Sequence, residues 1–113
     1  MLEKLTQIAL LYDFYANLLT KKQQEMLSLY YEDNLSLAEI ALEYGISRQA
    51  VYDTLKRSEK VLLDYEQKLG LVAKLGKEKK ALEDIKEICN QVKKTKDLEK
   101  IDLILERLNE MID

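Results

Sequence analysis

The feature that most constrains this chain is a glycine set between two helix starts. In Ser36-Leu37-Ala38-Glu39 a serine is followed three residues later by a glutamate, the pattern of a capping box. Gly45 comes where a helix stops in a left-handed residue, and Ser47 then offers a second N-cap. A capped start, a glycine stop and a new start leave room for a short helix, a tight corner and a second helix. That is the spacing of a helix-turn-helix. Its apolar residues fall in order: Leu37, Ile40 and Ala41 face inward on the first helix, Ile46 packs under the corner, and Val51 and Leu55 anchor the second.

The rest of the chain reads as helix, giving an all-α fold. Proline is absent, and glycine occurs only at positions 45, 70 and 76, so little interrupts long helices. Leu5, Ile8, Tyr12, Tyr15 and Leu19 predict a first helix over Leu2 to Leu19. Thr20 with Gln23 forms another capping box, starting a helix over Lys21 to Tyr31 that buries Met26, Leu27 and Tyr30. Asp33-Asn34 signals a turn. The helix capped by Ser47 is long: Val51, Leu55, Ser58, Leu62, Tyr65 and Leu69 keep its rhythm to about Gly70. A break is predicted over Leu71 to Gly76, then a fifth helix over Lys77 to Lys94 through Leu82, Ile85, Ile88 and Val92. Asp97 is the predicted N-cap of a sixth, striped by Leu98, Ile101, Leu105, Leu108 and Ile112 and widened by Ile104 and Met111. The expected organisation is a helical domain over 1–70, with the motif at about 36–57, and a C-terminal helical hairpin over 71–113.

Several chemistries are excluded. There is no histidine and no cysteine cluster, so a zinc site or a Ser-His-Asp triad is out of reach. No constellation supports an enzyme, and no cofactor or metal is expected. Cys89, the one cysteine, falls in the stripe of Ile85, Ile88 and Val92 and is read as a buried structural thiol. No signal peptide or membrane-length apolar run occurs, which points to the cytoplasm.

A helix-turn-helix lays its second helix in the major groove of DNA. Ser47 would present its hydroxyl and the helix N-terminus to a phosphate. Arg48, Gln49, Tyr52, Asp53 and Lys56 project outward, and arginine reads guanine as glutamine reads adenine. Lys56, Arg57 and Lys60 are placed for phosphates, with Lys21 and Lys22 as further backbone contacts. The charge balance pulls the other way. Residues 20–68 hold seven positive and nine negative side chains, and the chain as a whole carries −3. DNA-binding domains are usually basic, so a protein-contact role for the motif stands beside the DNA role. Residues 69–113 hold ten charges of each sign, and the clusters Lys77, Lys79, Lys80 and Lys93, Lys94, Lys96 read as solvated helix faces.

Residues 20–68 resemble region 4 of bacterial sigma factors. Leu19-Thr20 and Leu27 match its opening; Leu35-Ser36-Leu37-Ala38-Glu39-Ile40-Ala41 and Gly45-Ile46-Ser47-Arg48 match its motif. Ala50, Tyr52 and Asp53 stand where sigma factors carry basic or amide residues, so the resemblance does not carry sigma-like promoter recognition with it. Leu11-Tyr12-Asp13-Phe14-Tyr15 and Ser47-Arg48-Gln49-Ala50-Val51-Tyr52-Asp53, together with the length, resemble the YlxM-type helix-turn-helix proteins, whose genes lie beside those of the signal recognition particle. That resemblance implies an all-helical, sigma-region-4-like bacterial protein linked to the particle's pathway. The expectation is a homodimeric DNA-binding regulator. The alternative is a protein- or RNA-binding accessory factor of the signal recognition particle without sequence-specific DNA binding.

Overall fold

The computed structural model describes residues 2–112, Leu2 by its backbone alone. Among these residues there are six α-helices and no strand: α1 Leu2–Tyr15, α2 Lys21–Tyr31, α3 Leu37–Tyr44, α4 Arg48–Leu69, α5 Leu71–Thr95 and α6 Lys100–Ile112. They belong to two compact units, Met1–Val72 and Ala73–Asp113.

The first unit is built around α4, which packs against α1, α2 and α3. Met26, Ile40, Val51 and Leu62 are fully sealed from solvent, with Ile8, Leu11, Tyr15, Leu19, Leu27, Ala41 and Leu55 completing the core. Each large apolar side chain removed from water contributes about 1.5–3 kcal/mol, so α4 holds its place through Val51, Leu55 and Leu62. The α1 stripe differs from expectation: Leu11 is buried, Leu5 is exposed and Tyr12 lies between. Tyr30 is also exposed, and Leu29 and Tyr31 pack against the core instead. The α-helix of α1 stops at Tyr15, and a 3-10 turn over Ala16–Leu18 replaces its predicted end. The amide of Gln24 donates to the carbonyls of Ala16 (2.6 Å) and Leu19 (3.3 Å), satisfying groups that a helix end leaves open.

The local signals hold in detail. Both capping boxes form: Gln23 N–H donates to Thr20 Oγ1 (3.2 Å) and Glu39 N–H to Ser36 Oγ (3.1 Å), with each N3 side chain returning the bond. The α3–α4 corner is a Schellman motif, with Ile46 N–H donating to Ala41 O (3.0 Å) and Gly45 N–H to Leu42 O (3.4 Å). Gly45 sits at φ 66°, ψ 36°, the left-handed region. Ser47 Oγ then accepts from Ala50 N–H at 3.0 Å.

The break predicted over Leu71 to Gly76 is a single residue, the left-handed Gly70, and α5 starts at once. Tertiary contacts supply its cap. Leu71 N–H donates to the Tyr15 hydroxyl (3.2 Å) and Val72 N–H to Glu66 Oε1 (2.9 Å). With its first donors satisfied, the helix runs through Gly76. Leu69, the last residue of α4, is exposed rather than part of the core stripe.

In the second unit α5 and α6 form an antiparallel hairpin. Lys100 Nζ donates to Gln91 Oε1 at 3.2 Å, and Arg107 pairs with Asp84 at 4.0 Å. Asp97 accepts from Glu99 N–H in a 3-10 lead-in, so α6 proper begins at Lys100. No described residue of this unit is fully buried. Cys89 is exposed rather than a buried thiol, because α6 covers the side of α5 bearing Asp84 and Gln91. The predicted α6 stripe is exposed as well, while Ile104 and Met111 are half-covered.

Candidate nucleic-acid interface

The outer face of α4 is set by what its inner face buries. Val51, Leu55, Ser58 and Leu62 point into the core, so at 100° per residue Gln49, Asp53, Lys56, Arg57 and Lys60 fall on the opposite side, Tyr52 lies at its border, and Arg48 stands free at the helix start. All seven are exposed. From Arg48 to Lys60 they extend about 18 Å along the helix. Arg48, Gln49 and Tyr52 also meet Ser36, Leu37 and Ala38 across an open depression, so the starts of α3 and α4 form one concave surface.

The charges on this face are not equally available. Among the described residues, Arg48 and Lys60 form no ion pair. Among the described residues Arg57 reaches only the Thr54 hydroxyl, at 3.5 Å. Gln49 donates its amide to Asp53 at 2.9 Å, an internal pairing that a base edge would have to replace. Lys56 lies 5.5 Å from the Tyr52 ring centre and 3.5 Å from Glu59. Lys21 and Lys22 are exposed at the start of α2, and no hydrogen bond or ion pair among the described residues joins them to α4.

Glu59 escaped the sequence reading. It is buried, accepts a hydrogen bond from the Tyr31 hydroxyl, and receives Lys56 and, at 4.0 Å, Lys4. The contact between Lys4 and Lys56, which share this carboxylate, holds Lys4 below its ordinary value and Lys56 above it. Two further tyrosines behave alike: Tyr15 donates to Glu66 at 2.6 Å and Tyr44 to Glu25 at 2.9 Å. Burial, and then the carboxylates, push the phenols of Tyr31 and Tyr15 above their ordinary value and that of Tyr44 up to about 12. Seven tyrosines against one phenylalanine was the available signal: a core that prefers phenols has acceptors for them.

Residues 2–104 match the UPF0122 family, described as "putative helix-turn-helix protein, YlxM/p13 like". The chain belongs to the UPF0122 family. A UPF0122 protein of Anoxybacillus flavithermus is 51% identical over 96% of this chain and 99% of its own length. The UPF0122 protein YlxM of Bacillus subtilis is 45% identical over 96% and 98%. A third, from Halalkalibacterium halodurans, is 50% identical over 80% and 84%. The YlxM-type resemblance is borne out, and this UPF0122 protein is a helix-turn-helix protein by both family and fold. The family description names no reaction. No helix among the described residues is long and apolar enough to cross a membrane.

Proposed function

We propose that this protein is a cytoplasmic regulator that binds duplex DNA through α4, as a homodimer. The observation that carries the reading is the exposed set Arg48, Gln49 and Tyr52 on the first two turns of a helix whose inner face is locked into the core. A recognition helix needs that combination: base-reading side chains near its N-terminus on a rigid support. Ser47 and the open N-terminus of α4 suit one phosphate, while Arg57, Lys60 and Lys56 suit others further along the groove. With nine acidic side chains among residues 20–68, the affinity is weak and strongly salt-dependent.

The test is fluorescence anisotropy of labelled duplex DNA at low salt. Binding is expected to weaken in Arg48→Ala/Lys56→Ala and to fade as salt rises. No binding to any duplex at low salt refutes the proposal. The acidic balance favours a second reading, an accessory factor of the signal recognition particle that contacts its RNA or protein. Recovery of neither particle RNA nor its protein subunits in pull-downs counts against that reading.

A further inference from the structure

The second unit carries an apolar face without a partner, and its geometry points to a second copy of this chain as the occupant. On α6 the side that meets α5 is marked by Lys100 and Arg107, which contact Gln91 and Asp84, and by the half-covered Ile104 and Met111. At 100° per residue, Ile101, Leu105, Leu108 and Ile112 lie about a quarter-turn further round. On α5 the covered side holds Ala81, Asp84, Ile88 and Val92. Leu75 and Leu82 lie about a quarter-turn from it in the same sense. The helices run in opposite directions, so equal rotations of one sense bring both stripes to the same side of the hairpin. There Leu82 is 53% and Leu105 52% exposed.

The size and spacing fit a self-association surface. The α6 residues repeat at steps of four, three and four, the rhythm of a coiled-coil seam. Two helices side by side over the length of α6 give a footprint of about 400 Å². Exposed apolar patches of that order mark association sites. Two such faces, with the relief of their side chains counted, approach the ~1,200 Å² at which specific interfaces begin. Two hairpins stacked in this way make a four-helix bundle.

The rims of the face decide how the copies stack. The outer edge of α5 carries Lys79, Lys86 and Lys93, seven residues apart, with Glu83 further round; the outer edge of α6 carries Asp102, with Glu106 about 40° beyond it. All six are exposed, and none forms an ion pair among the described residues. A two-fold axis parallel to the helices lays α5 on the partner copy's α6 and sets the basic rim beside the acidic one. The other stacking lays α5 on α5 and sets lysines beside lysines. Complementary rims select register and partner more than they add affinity, so the apolar face drives the dimer and the rims orient it.

Sedimentation velocity of the full chain, without nucleic acid, is the test. Wild type is expected at twice the monomer mass, and Leu82→Glu/Leu105→Glu at monomer mass with its far-ultraviolet circular dichroism retained, since both side chains are already exposed. The triple change Lys79→Glu/Lys86→Glu/Lys93→Glu should raise the dimer Kd by about tenfold, and adding Asp102→Lys/Glu106→Lys should restore it. A monomeric wild type, or a dimer indifferent to Leu82→Glu/Leu105→Glu, overturns the interface. Charge reversal without rescue overturns the arrangement. The surface gives the proposed homodimer its seam but is judged apart from DNA binding: a monomer that still binds duplex refutes the seam and the homodimer and leaves DNA binding standing, and a dimer that binds none refutes only DNA binding.

Discussion

Replacing Gly45 by alanine isolates the cost of the corner on which the motif turns. Gly45 lies at φ 66°, ψ 36°, and a Cβ built there meets no atom within 4 Å. Steric overlap with neighbours therefore contributes nothing, and the whole penalty is conformational. A left-handed backbone costs an L-residue about 1–2 kcal/mol. The stiffer unfolded chain of the alanine variant offsets about 0.4–1 kcal/mol of this. The net loss is about 1 kcal/mol, or about 4–8 °C in Tm for a domain of this size. Gly45→Asn should cost less, because asparagine tolerates this region. Urea unfolding followed by circular dichroism reads the effect as a lower midpoint at unchanged slope. If Gly45→Ala proves neutral or stabilising, or if asparagine costs as much as alanine, then the left-handed stop is not what holds α3 to α4, and the argument from Gly45 fails.

Gly76 should respond with the opposite sign, since it lies inside α5 with open space around it; Gly76→Ala should raise helix stability by about 1 kcal/mol, read as a higher-melting helical signal. Tyr31→Phe should cost about 1.5–3 kcal/mol in urea unfolding, because it removes a hydrogen bond to the buried Glu59 carboxylate. The tyrosine–carboxylate pairs should give way in alkali: folded phenol values lie above the ordinary ~10, so their stabilisation is complete below about pH 10 and is lost as pH rises through the Tyr44 value of about 12. Phenolate absorbance should then show a late-ionising group that titrates together with the loss of helix. Asp53→Ala should tighten duplex binding several-fold at low salt, since it removes a charge from the outer face and releases the Gln49 amide, with the gain shrinking as salt rises. Unchanged anisotropy would place Asp53 outside the interface.

The corner and the starts of α2, α3 and α4 were legible in the sequence because the interactions that make them are local. Thr20 with Gln23, Ser36 with Glu39, and Ser47 with Ala50 each bond across three residues, so composition and spacing suffice. The α4 anchors Val51, Leu55 and Leu62 were legible because their helix is long enough for its period to show. The α1 stripe was harder to read, since apolar residues occupy several of its faces and only packing against α4 chooses Leu11 over Leu5. The outward residues of the candidate interface followed from α4's buried face. Their pairings, Gln49 with Asp53 and Lys56 with Glu59, required side-chain positions.

The sequence by itself determined where α2, α3 and α4 begin, where Gly45 turns the chain, and which side of α4 is free. Those outcomes depend on backbone conformation and on bonds a few residues long. The tertiary structure alone decided the rest. Tyr15 reaches Glu66 across fifty-one positions and caps α5 at Leu71, which carries the helix through the predicted break. Tyr31 reaches Glu59 across twenty-eight and makes a buried carboxylate tenable. Cys89 and the α6 stripe share a pattern with buried residues, yet remain exposed. An apolar period states that a face needs covering; only the three-dimensional arrangement shows whether the same chain covers it.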